Sequence, residues 1–520
     1  MDMDPEHISH WRKTATLPRF PALDQEISVD VAVVGAGMAG ISAAYLLKQE
    51  GLTVALVERD RCGGVDTAQT TAHLTAVTDL RLADIRKRFG SPAEATVWNA
   101  GTAAINRIAG HVSSLDLDCG FKWCPGYLHA ATAQDDPAVF HCETEAARAL
   151  GIVAEFQSSV PLFHVPGVVF PRQALFHPLA YLAGLLRLIP GHGSHVFEGT
   201  EAQAMEKEPR QLRTPGGRIN FSHLVIATHN PLVGLAGMVG ATLFQTKLSL
   251  YSSYAVSARL PRGRLPEALY WDTADPYHYL RVEEDPEHAR LVYGGEDHKT
   301  GQAADTPARF ARLEEKLRTF APEAQVDARW SGQVIETNDG LPFIGMTSSR
   351  QFIATGFSGN GMTFGTLAGM MAVDAILGRP DPWQKLFDPG RKVFHGGTWS
   401  YLKENKDYPY HFVHDRLVKP EAKSLRDLAP GEGKVVQLKK RKVAAYRDAD
   451  GRVTMCSAVC THLGGIVGWN PAEKTWDCPC HGARFHPDGR VLSGPAEEPL
   501  TRLSPVTGLP LRPRRAVVAR

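Results

Sequence analysis

The sequence has few cysteines, no long apolar run and no excess of charge of either sign, and each shortage excludes a class of protein. Eight cysteines in 520 residues are too sparse for a secreted disulfide scaffold. No segment supplies the about 18 uncharged apolar residues that a membrane span needs. Because 57 Lys and Arg residues balance 56 Asp and Glu residues, nucleic acid is not the expected partner.

The first residues, MDMDPEHISHWRK, mix acids and bases and lack the apolar core of a signal peptide. We therefore expect a cytoplasmic protein. The length of 520 residues is enough for about three domains of roughly 150 residues each.

Residues 28–60 follow the order strand, glycine-rich turn, helix and strand, which predicts a βαβ unit. Gly35, Gly37 and Gly40 form G-x-G-x-x-G directly after the first strand, and Glu58 closes the second. In this context the glycines allow a tight turn and a close approach of the backbone to a pyrophosphate at the helix N-terminus. Because Glu58 can accept hydrogen bonds from ribose hydroxyls, the pattern predicts dinucleotide binding.

A second glycine-rich turn precedes a helix much later in the chain. The segment DGLPFIG is followed by the strand QFIATGF, the turn SGNG and a helix that ends before Pro380. The N-terminus of such a helix can stabilise negative charge on a reduced flavin ring, although a buried helix packed through small residues is the alternative. Residues 221–231 predict a further strand at an edge of the same sheet, and the intervening segments alternate like antiparallel strands.

Two cysteines and two histidines near the C-terminus form C-x-H and C-x-x-H, as Cys460 with His462 and Cys478 with His481. Such residues could ligate structural zinc or a Rieske [2Fe–2S] cluster. Each of the two loops supplies one Cys and one His, so that two thiolates can bind one iron and two imidazoles can bind the second iron. This pattern favours the cluster over zinc. The segments CTHLGG, CPCHGARFHPDG and LSGPAEEPL closely resemble the Rieske domain.

The motif GAGMAG with Glu58, the segment DGLPFIG and the segment ATGFSGNGMTFGTLAG resemble the D-amino-acid oxidase or glycine oxidase superfamily, nearest to its glutamylputrescine-oxidase-like members. The resemblance implies an α/β, Rossmann-like FAD-binding domain with an interleaved antiparallel-sheet substrate domain, followed by the all-β Rieske domain. The implied boundaries are 26–90, 165–240 and 330–380 for the FAD domain, 91–164 and 241–329 for the substrate domain, 381–423 for a linker, and 424–515 for the Rieske domain.

The resemblance also implies a set of cofactor contacts. The expected FAD-binding residues are Gly35, Gly37, Gly40, Glu58, Arg59, Thr70, Thr71, His73, Gly359, Asn360, Gly361 and Met362. Among them, His73 lies where some relatives attach flavin covalently, whereas a packed or hydrogen-bonding histidine is the alternative.

The substrate pocket is less well defined by the sequence. Family members that oxidise amino acids carry an Arg before the D-G-x-P turn, but here the stretch is Gln333, Val334 and Ile335. An α-amino-acid substrate is therefore not expected. The pocket candidates are Tyr251, Tyr254, His278, Tyr279 and Arg281, of which Arg281 could pair with a distal carboxylate or be a solvated strand residue.

Together these features predict an FAD-dependent oxidoreductase acting on a CH–NH or CH–NH2 donor. It would oxidise a C–N bond of a small amine or amino-acid-like molecule and pass electrons through the cluster to an external protein or quinone-like acceptor. Two alternatives stay open. In one, the cluster feeds electrons to the flavin for a partner protein; in the other, a flavin amine oxidase uses dioxygen and the cluster is structural.

Overall fold

The computed structural model describes residues 7–207, 209–230, 247–391, 410–411, 414, 416, 422, 424–438, 441–504 and 509–511. The chain divides into two compact units. The first unit runs to Asp297 and resumes from Arg309 to residue 403. The second unit consists of His298–Ala308 and the chain from residue 404 onward. Most of the expected linker at 381–423 lies outside the described residues.

The first sheet of the first unit contains the predicted βαβ unit. Its described strands are β1 (Glu26–Val34), β2 (Val54–Val57), β7 (His195–Phe197), β8 (Ala204–Lys207), β9 (Arg210–Arg213), β10 (Arg218–Ile226), β16 (Phe343–Ser348) and β17 (Gln351–Thr355). Their order is β16-β17-β10-β1-β2-β7, with β9 beside β10 and β8 beside β9. The strands from β17 to β7 are parallel, and their apolar runs are buried, as expected for a sheet covered on both faces.

The position of β10 corrects one expectation. It lies between β17 and β1 rather than at the sheet edge, and it pairs in parallel with both neighbours. The prediction was wrong because a short apolar run has the same appearance in an interior strand as in an edge strand that is covered by helices.

The second sheet is predominantly antiparallel, as the alternating segments predicted. Its described strands are β3 (His73–Leu74), β4 (Lys122–His129), β5 (Glu155–Gln157), β6 (Gly167–Leu175), β11 (Leu248–Leu260), β12 (Ala268–Asp272), β13 (Tyr279–Glu284), β14 (Ala289–Lys299) and β15 (Gln325–Thr337). Their order is β15-β11-β14-β13-β12-β4-β6-β3, with β5 beside β6. Strand β6, which falls in a stretch expected to belong to the FAD domain, pairs in this sheet.

Helices cover the first sheet and enclose a large apolar core. The helices in the described ranges are α1 (His10–Thr14), α2 (Met38–Gln49), α3 (Leu82–Phe89), α4 (Ala93–Ser114), α5 (Ala138–Ala149), α6 (Pro178–Leu188), α7 (Thr306–Phe320), α8 (Gly361–Leu377) and α9 (Gln384–Phe387). Apolar side chains of α2, α4, α6 and α8 form one continuous cluster with β1 and β2. Over these described ranges, no helix combines the length and the apolar character needed to cross a membrane.

The second unit is built mainly from two small antiparallel sheets. One contains β18 (Gly433–Leu438), β19 (Arg441–Arg447), β20 (Val453–Ser457) and β25 (Arg502–Leu503), and the other contains β21 (Gly468–Asn470), β22 (Thr475–Asp477), β23 (Arg484–Phe485) and β24 (Val491–Ser493). The Asp-Gly signal at 450–451 lies in the turn between the antiparallel strands β19 and β20. This arrangement confirms the all-β prediction.

Candidate functional site

The first glycine turn joins β1 to α2. Gly35 has a φ of +95°, and a Cβ atom there would lie 2.5 Å from the carbonyl oxygen of Ala227. A Cβ atom on Gly40 would lie 1.8 Å from the carbonyl oxygen of Gly35. The helix therefore begins in close contact with the preceding turn. Gly37 caps α2 without a side-chain hydrogen bond, so the turn presents backbone rather than side chains, as pyrophosphate binding requires.

A carboxylate is fixed beside this turn. Glu58 follows β2 and accepts hydrogen bonds from the backbone N–H of Ala36 at 2.9 Å and of Asp60 at 3.0 Å. Burial raises the pKa of Glu58, while these two N–H groups favour its charged form. The neighbouring Arg59 forms an ion pair with Asp60 at 3.3 Å. Glu58 is thus held where a strand-end carboxylate can receive ribose hydroxyls.

The second glycine turn brings another helix N-terminus to the same edge of the sheet. Gly359 has a φ of +78°, and Asn360 caps α8 while its side chain donates to the carbonyl of Val77 at 3.3 Å. Cβ atoms on Gly365 and Gly369 would lie 3.2 Å from Met38 Cβ and 2.8 Å from Ser42 Cβ. Gly365 lies opposite Met38, and Gly369, one turn later, lies opposite Ser42. The two helices α2 and α8 therefore run in the same direction. The small residues of α8 thus pack the helix, while Gly359, Asn360, Gly361 and the buried Met362 form its N-terminal end.

The segment from Thr70 to His73 lies in the chain between residues that contact α2 and α8. The Thr70 hydroxyl accepts a hydrogen bond from Ala72 N–H at 3.0 Å, and the Thr70 carbonyl accepts one from Trp11 Nε1 at 2.6 Å. Burial lowers the pKa of His73 to about 3, so its ring is neutral. Both ring nitrogens are buried, and neither has a hydrogen bond of ordinary geometry within the described chain. The open glycine turns and these ring nitrogens fit a bound FAD.

A cluster of polar residues lies beside the second turn and is called the recess below; it is formed by Asp79, Ser253, Tyr277, Tyr279 and Asp297. The Tyr277 hydroxyl donates to Asp79 Oδ2 at 3.4 Å, and the hydroxyl oxygens of Ser253 and Tyr279 are 2.5 Å apart. A Cβ atom on Gly359 would lie 3.0 Å from Tyr277 Oη and 3.6 Å from Asp79 Oδ2. The ring of His73 meets Tyr279 edge to face at 5.8 Å. The recess therefore adjoins the expected position of the flavin ring.

The two carboxyl groups of the recess have raised pKa values. Asp79 is open to solvent on one side, but the surrounding protein desolvates it and raises its pKa to about 6. Burial raises the pKa of Asp297 to about 6, and the charge of Asp79 adds to this shift. The Oδ1 atom of Asp297 is buried and accepts no hydrogen bond from the described residues. Both groups are ionised at neutral pH.

Two of the sequence candidates for the pocket are engaged elsewhere in the first unit. Arg281 is buried, donates to the carbonyls of Ala72 at 3.0 Å and Phe176 at 2.8 Å, and pairs with Glu283 at 2.5 Å. It therefore supports the segment that carries His73 and is not a solvated strand residue.

His278 has both ring nitrogens engaged, Nδ1 at 3.1 Å from Asp272 Oδ2 and Nε2 at 2.7 Å from Lys316 Nζ. Tyr254 is fully buried and meets Phe310 edge to face at 5.0 Å, while Tyr251 is half-buried on β11. Of the five candidates, only Tyr279 belongs to the recess.

Sequence reasoning missed Asp79, Tyr277 and Asp297. The two aspartates are far apart in the chain and lie in no motif, so no spacing signal relates them. One available signal was the run DPYHY, in which Tyr277 and Tyr279 point to the same face of a strand-like segment.

In the second unit, two loops bring the four predicted metal ligands together. Cys460 N–H donates to the carbonyl of Gly465 at 2.8 Å, and Cys478 N–H donates to the carbonyl of Ala483 at 2.8 Å, so each loop closes on itself. A Cβ atom on Gly465 would lie 2.8 Å from Cys478 Sγ, which shows how closely the loops approach. The rings of His462 and His481 are 4.8 Å apart at an interplanar angle of 86°.

The surroundings of Cys478 and His462 favour the protonation states in which these two residues bind metals. Hydrogen bonds from Cys460 and then Cys480 lower the pKa of the Cys478 thiol, and burial lowers the pKa of His462 to about 4. The site therefore favours a thiolate and neutral imidazoles, the forms that bind metals. In the described part of the chain no three Cys, His, Asp or Glu residues converge on one point. A cysteine pair beside a histidine pair fits a [2Fe–2S] cluster with two protein ligands on each iron.

Comparison with known proteins agrees with this division. Residues 30–375 match the family model DAO, described as FAD dependent oxidoreductase, and residues 419–505 match the Rieske [2Fe-2S] domain. The Rieske 2Fe-2S iron-sulfur protein YhfW of Bacillus subtilis is 32% identical over 502 residues, which cover 95% of this chain and 97% of that protein. These matches confirm FAD and a Rieske cluster as the predicted cofactors.

Two further relatives match most of the chain. The gamma-glutamylputrescine oxidoreductase of Escherichia coli is 22% identical over 423 residues, covering 76% of this chain and 95% of that protein. The crystal structure of glycine oxidase from Geobacillus kaustophilus superposes with a TM-score of 0.60 at 18% identity, covering 71% of this chain and 100% of that one. At that identity the structural likeness establishes the fold.

Proposed function

This chain belongs to the FAD dependent oxidoreductase family DAO and also carries a Rieske domain, and we propose that it oxidises a C–N bond of a small amine and passes the electrons through the cluster to an external acceptor. The observation that carries the proposal is the presence of two cofactor sites in one chain. Glycine turns at the N-termini of α2 and α8 form the first, and two cysteines with two histidines form the second.

When bound, FAD accepts two electrons from the carbon beside the amine nitrogen, and a Rieske cluster transfers electrons one at a time. The protein supplies the surroundings. Gly35 and Gly40 let the backbone approach the pyrophosphate, Glu58 holds the ribose, and the N-terminus of α8 stabilises negative charge on the flavin ring. The neutral imidazole of His73 offers one donor and one acceptor at the ring edge.

The recess supports an amine that carries a positive charge and lacks an α-carboxylate. Asp79 and Asp297 both face it, and Tyr277 and Tyr279 add hydroxyl groups. A carboxylate in the substrate would meet like charge there, whereas a protonated nitrogen other than the reacting one would form charge-assisted hydrogen bonds. The names of the glutamylputrescine and glycine relatives are consistent with C–N oxidation.

Two arginines face the recess and have other partners as well. Arg81 also faces Glu143 and Asp84, and Arg309 donates to the carbonyl of Glu296 at 2.5 Å. The charge of Arg81 is therefore shared with carboxylates outside the recess, and Asp79 keeps an attraction for a cationic ligand.

An anaerobic titration tests this proposal. Purified holoprotein is mixed with mono-, di- and polyamines, N-methyl amines and their α-carboxylated counterparts while the flavin absorbance is followed. We expect at least one amine to bleach the flavin and its α-carboxylated counterpart to react far more slowly. If no amine bleaches the flavin, while a chemical donor reduces the cluster first and the flavin second, the protein instead delivers electrons to a partner.

A further inference from the structure

A short segment from outside the Rieske match is part of the cluster-bearing unit. His298–Ala308 joins β14 to α7, and it belongs to the second unit together with the chain from residue 404. The residues matched to the Rieske model are 419–505, so this segment is an addition to that domain. Its contacts fall on the second ligand loop, which contains Cys478 and His481.

The first contact is made by backbone. Gly301 has a φ of +81°, and a Cβ atom there would lie 2.8 Å from the carbonyl carbon of Cys478 and 2.8 Å from the nitrogen of Pro479. Both atoms belong to one peptide bond of the ligand loop and cannot move aside as a flexible side chain would. The left-handed conformation and the close approach each require glycine at this position.

The second contact is a hydrogen bond to the same loop. Gln302 Nε2 donates to the carbonyl oxygen of Pro479 at 3.0 Å. Pro479 is buried and lies between the cluster ligands Cys478 and His481. The amide therefore fixes the orientation of a carbonyl dipole within the ligand loop.

The third contact reaches the residue that precedes the loop. Thr306 Oγ1 donates to Asn470 Oδ1 at 2.9 Å, and Asn470 Nδ2 donates to Asp477 Oδ2 at 2.9 Å. Thr306, Asn470 and Asp477 are all buried. Because Asp477 directly precedes Cys478, the segment holds the ligand loop from two sides.

We propose that Gly301, Gln302 and Thr306 are positioning residues of the Rieske site, and that His298–Ala308 sets the geometry and reduction potential of the cluster. The proposal rests on the cluster site alone and does not depend on the oxidation of an amine. Outer contacts of this kind tune metal centres by orienting the ligands and by adjusting the field around them.

The sign of the effect follows from the dipole of the Pro479 carbonyl. The Gln302 amide places positive partial charge against the negative oxygen, so its removal makes the surroundings of the cluster more negative. Addition of an electron then becomes less favourable, and the reduction potential falls. A new carboxylate at the same position lowers the potential further.

The test uses the full-length holoprotein with Gln302→Leu, Gln302→Glu and the control Ala304→Ser, which changes an exposed residue of the same segment. Cluster content, the reduced EPR spectrum and the midpoint potential are measured for each. We expect Gln302→Leu to lower the one-electron equilibrium constant about threefold, equivalent to about 30 mV, with shifted g-values. Gln302→Glu should lower the midpoint potential further, and Ala304→Ser should have the potential and the EPR spectrum of the wild type.

Two further variants separate positioning from folding. Thr306→Val keeps shape and removes the hydroxyl, and it should also shift the EPR spectrum while flavin absorbance stays normal. Gly301→Ala should reduce cluster content. Equal potentials and identical EPR spectra in wild type, Gln302→Leu and Gln302→Glu, at full cluster content, would overturn the proposal.

Discussion

The Cβ position of Gly40 lies 1.8 Å from the carbonyl oxygen of Gly35, so the third glycine of the first turn is required by packing and not only by flexibility. The same argument applies at Gly369, where a Cβ atom would lie 2.8 Å from Ser42 Cβ on the facing helix. These two contacts set how α2 and α8 present their N-termini to the cofactor.

We predict that Gly40→Ala abolishes FAD binding and that Gly369→Ala lowers the free energy of unfolding by about 1–3 kcal/mol and weakens FAD binding, because overpacking separates the helices. The control is Gly110→Ala on α4, where a Cβ atom meets nothing within 4 Å. That change should stabilise the protein by about 0.5–1 kcal/mol. Denaturant unfolding measures the free energy of unfolding, and flavin release measures FAD binding. Normal FAD affinity in Gly40→Ala would contradict this packing account.

If the carboxylates of the recess bind the substrate, their removal should weaken the binding of cationic amines. Asp79→Asn and Asp297→Asn should each raise KM for a cationic amine about 10- to 100-fold, since a hydrogen bond to a charged group contributes about 1.5–3 kcal/mol. Asp118→Asn, at an exposed position after α4, serves as the control. Binding of a redox-inert cation, followed by the perturbed flavin spectrum, should weaken in parallel. A loss of kcat at unchanged KM would argue against recognition by these carboxylates.

The same carboxyl groups predict two opposite pH trends. Their pKa values are raised from 3.8 to about 6, so the folded state binds more protons than the unfolded state between these limits. The free energy of unfolding of the ligand-free protein should therefore fall as pH rises from about 4 to about 6 through these groups. Binding of a cationic amine should instead strengthen as pH rises through about 6. Asp79→Asn should flatten both profiles.

Buried His111 predicts acid sensitivity of the first unit. Its Nδ1 lies 2.9 Å from Tyr181 Oη, and burial followed by the charge of Arg107 lowers its pKa from 6.5 to about 4. The unfolded state then binds more protons, so up to about 3 kcal/mol of stability is lost as pH falls from 6.5 toward 4. His111→Gln should flatten this part of the profile, whereas His141→Gln, at an exposed position, should not. If the wild type, His111→Gln and His141→Gln lose stability in parallel as the pH falls, His111 is not the cause of the acid sensitivity.

The local motifs could be predicted from the sequence because each is formed by residues that are close together in the chain. The turn of Gly35 and Gly40, the turn of Gly359 and the spacing of Cys460 with His462 each combine a strand, a loop and their special residues in one short stretch. The structure places these features on the elements expected of them. Backbone conformation and ligand chemistry, rather than distant packing, determine such segments.

Features that depend on distant packing could not be predicted. The first residues mix acids and bases, yet Trp11 is fully buried. It donates to the Thr70 carbonyl, and its ring lies 5.0 Å from the Arg281 guanidinium. Asp79 and Asp297 share no motif, and Gly301 lies far in sequence from the cluster loop that it contacts. Each of these residues acquires its role only when distant segments of the chain come into contact. A periodic sequence pattern reports only local structure and cannot predict such contacts.

In the proposed function, electrons from an amine leave through the cluster. The direct measurement is a rapid-freeze experiment in which a flavin-bleaching amine is mixed anaerobically with holoprotein and the flavin absorbance and EPR spectrum are recorded on the same samples. Cys460→Ser, which removes one cluster ligand, is the comparison, with exposed Cys142→Ser as its control. We expect the rhombic reduced Rieske signal to follow flavin bleaching in wild type and Cys142→Ser, and to be absent in Cys460→Ser. Full flavin bleaching with a cluster that stays oxidised would contradict the claim.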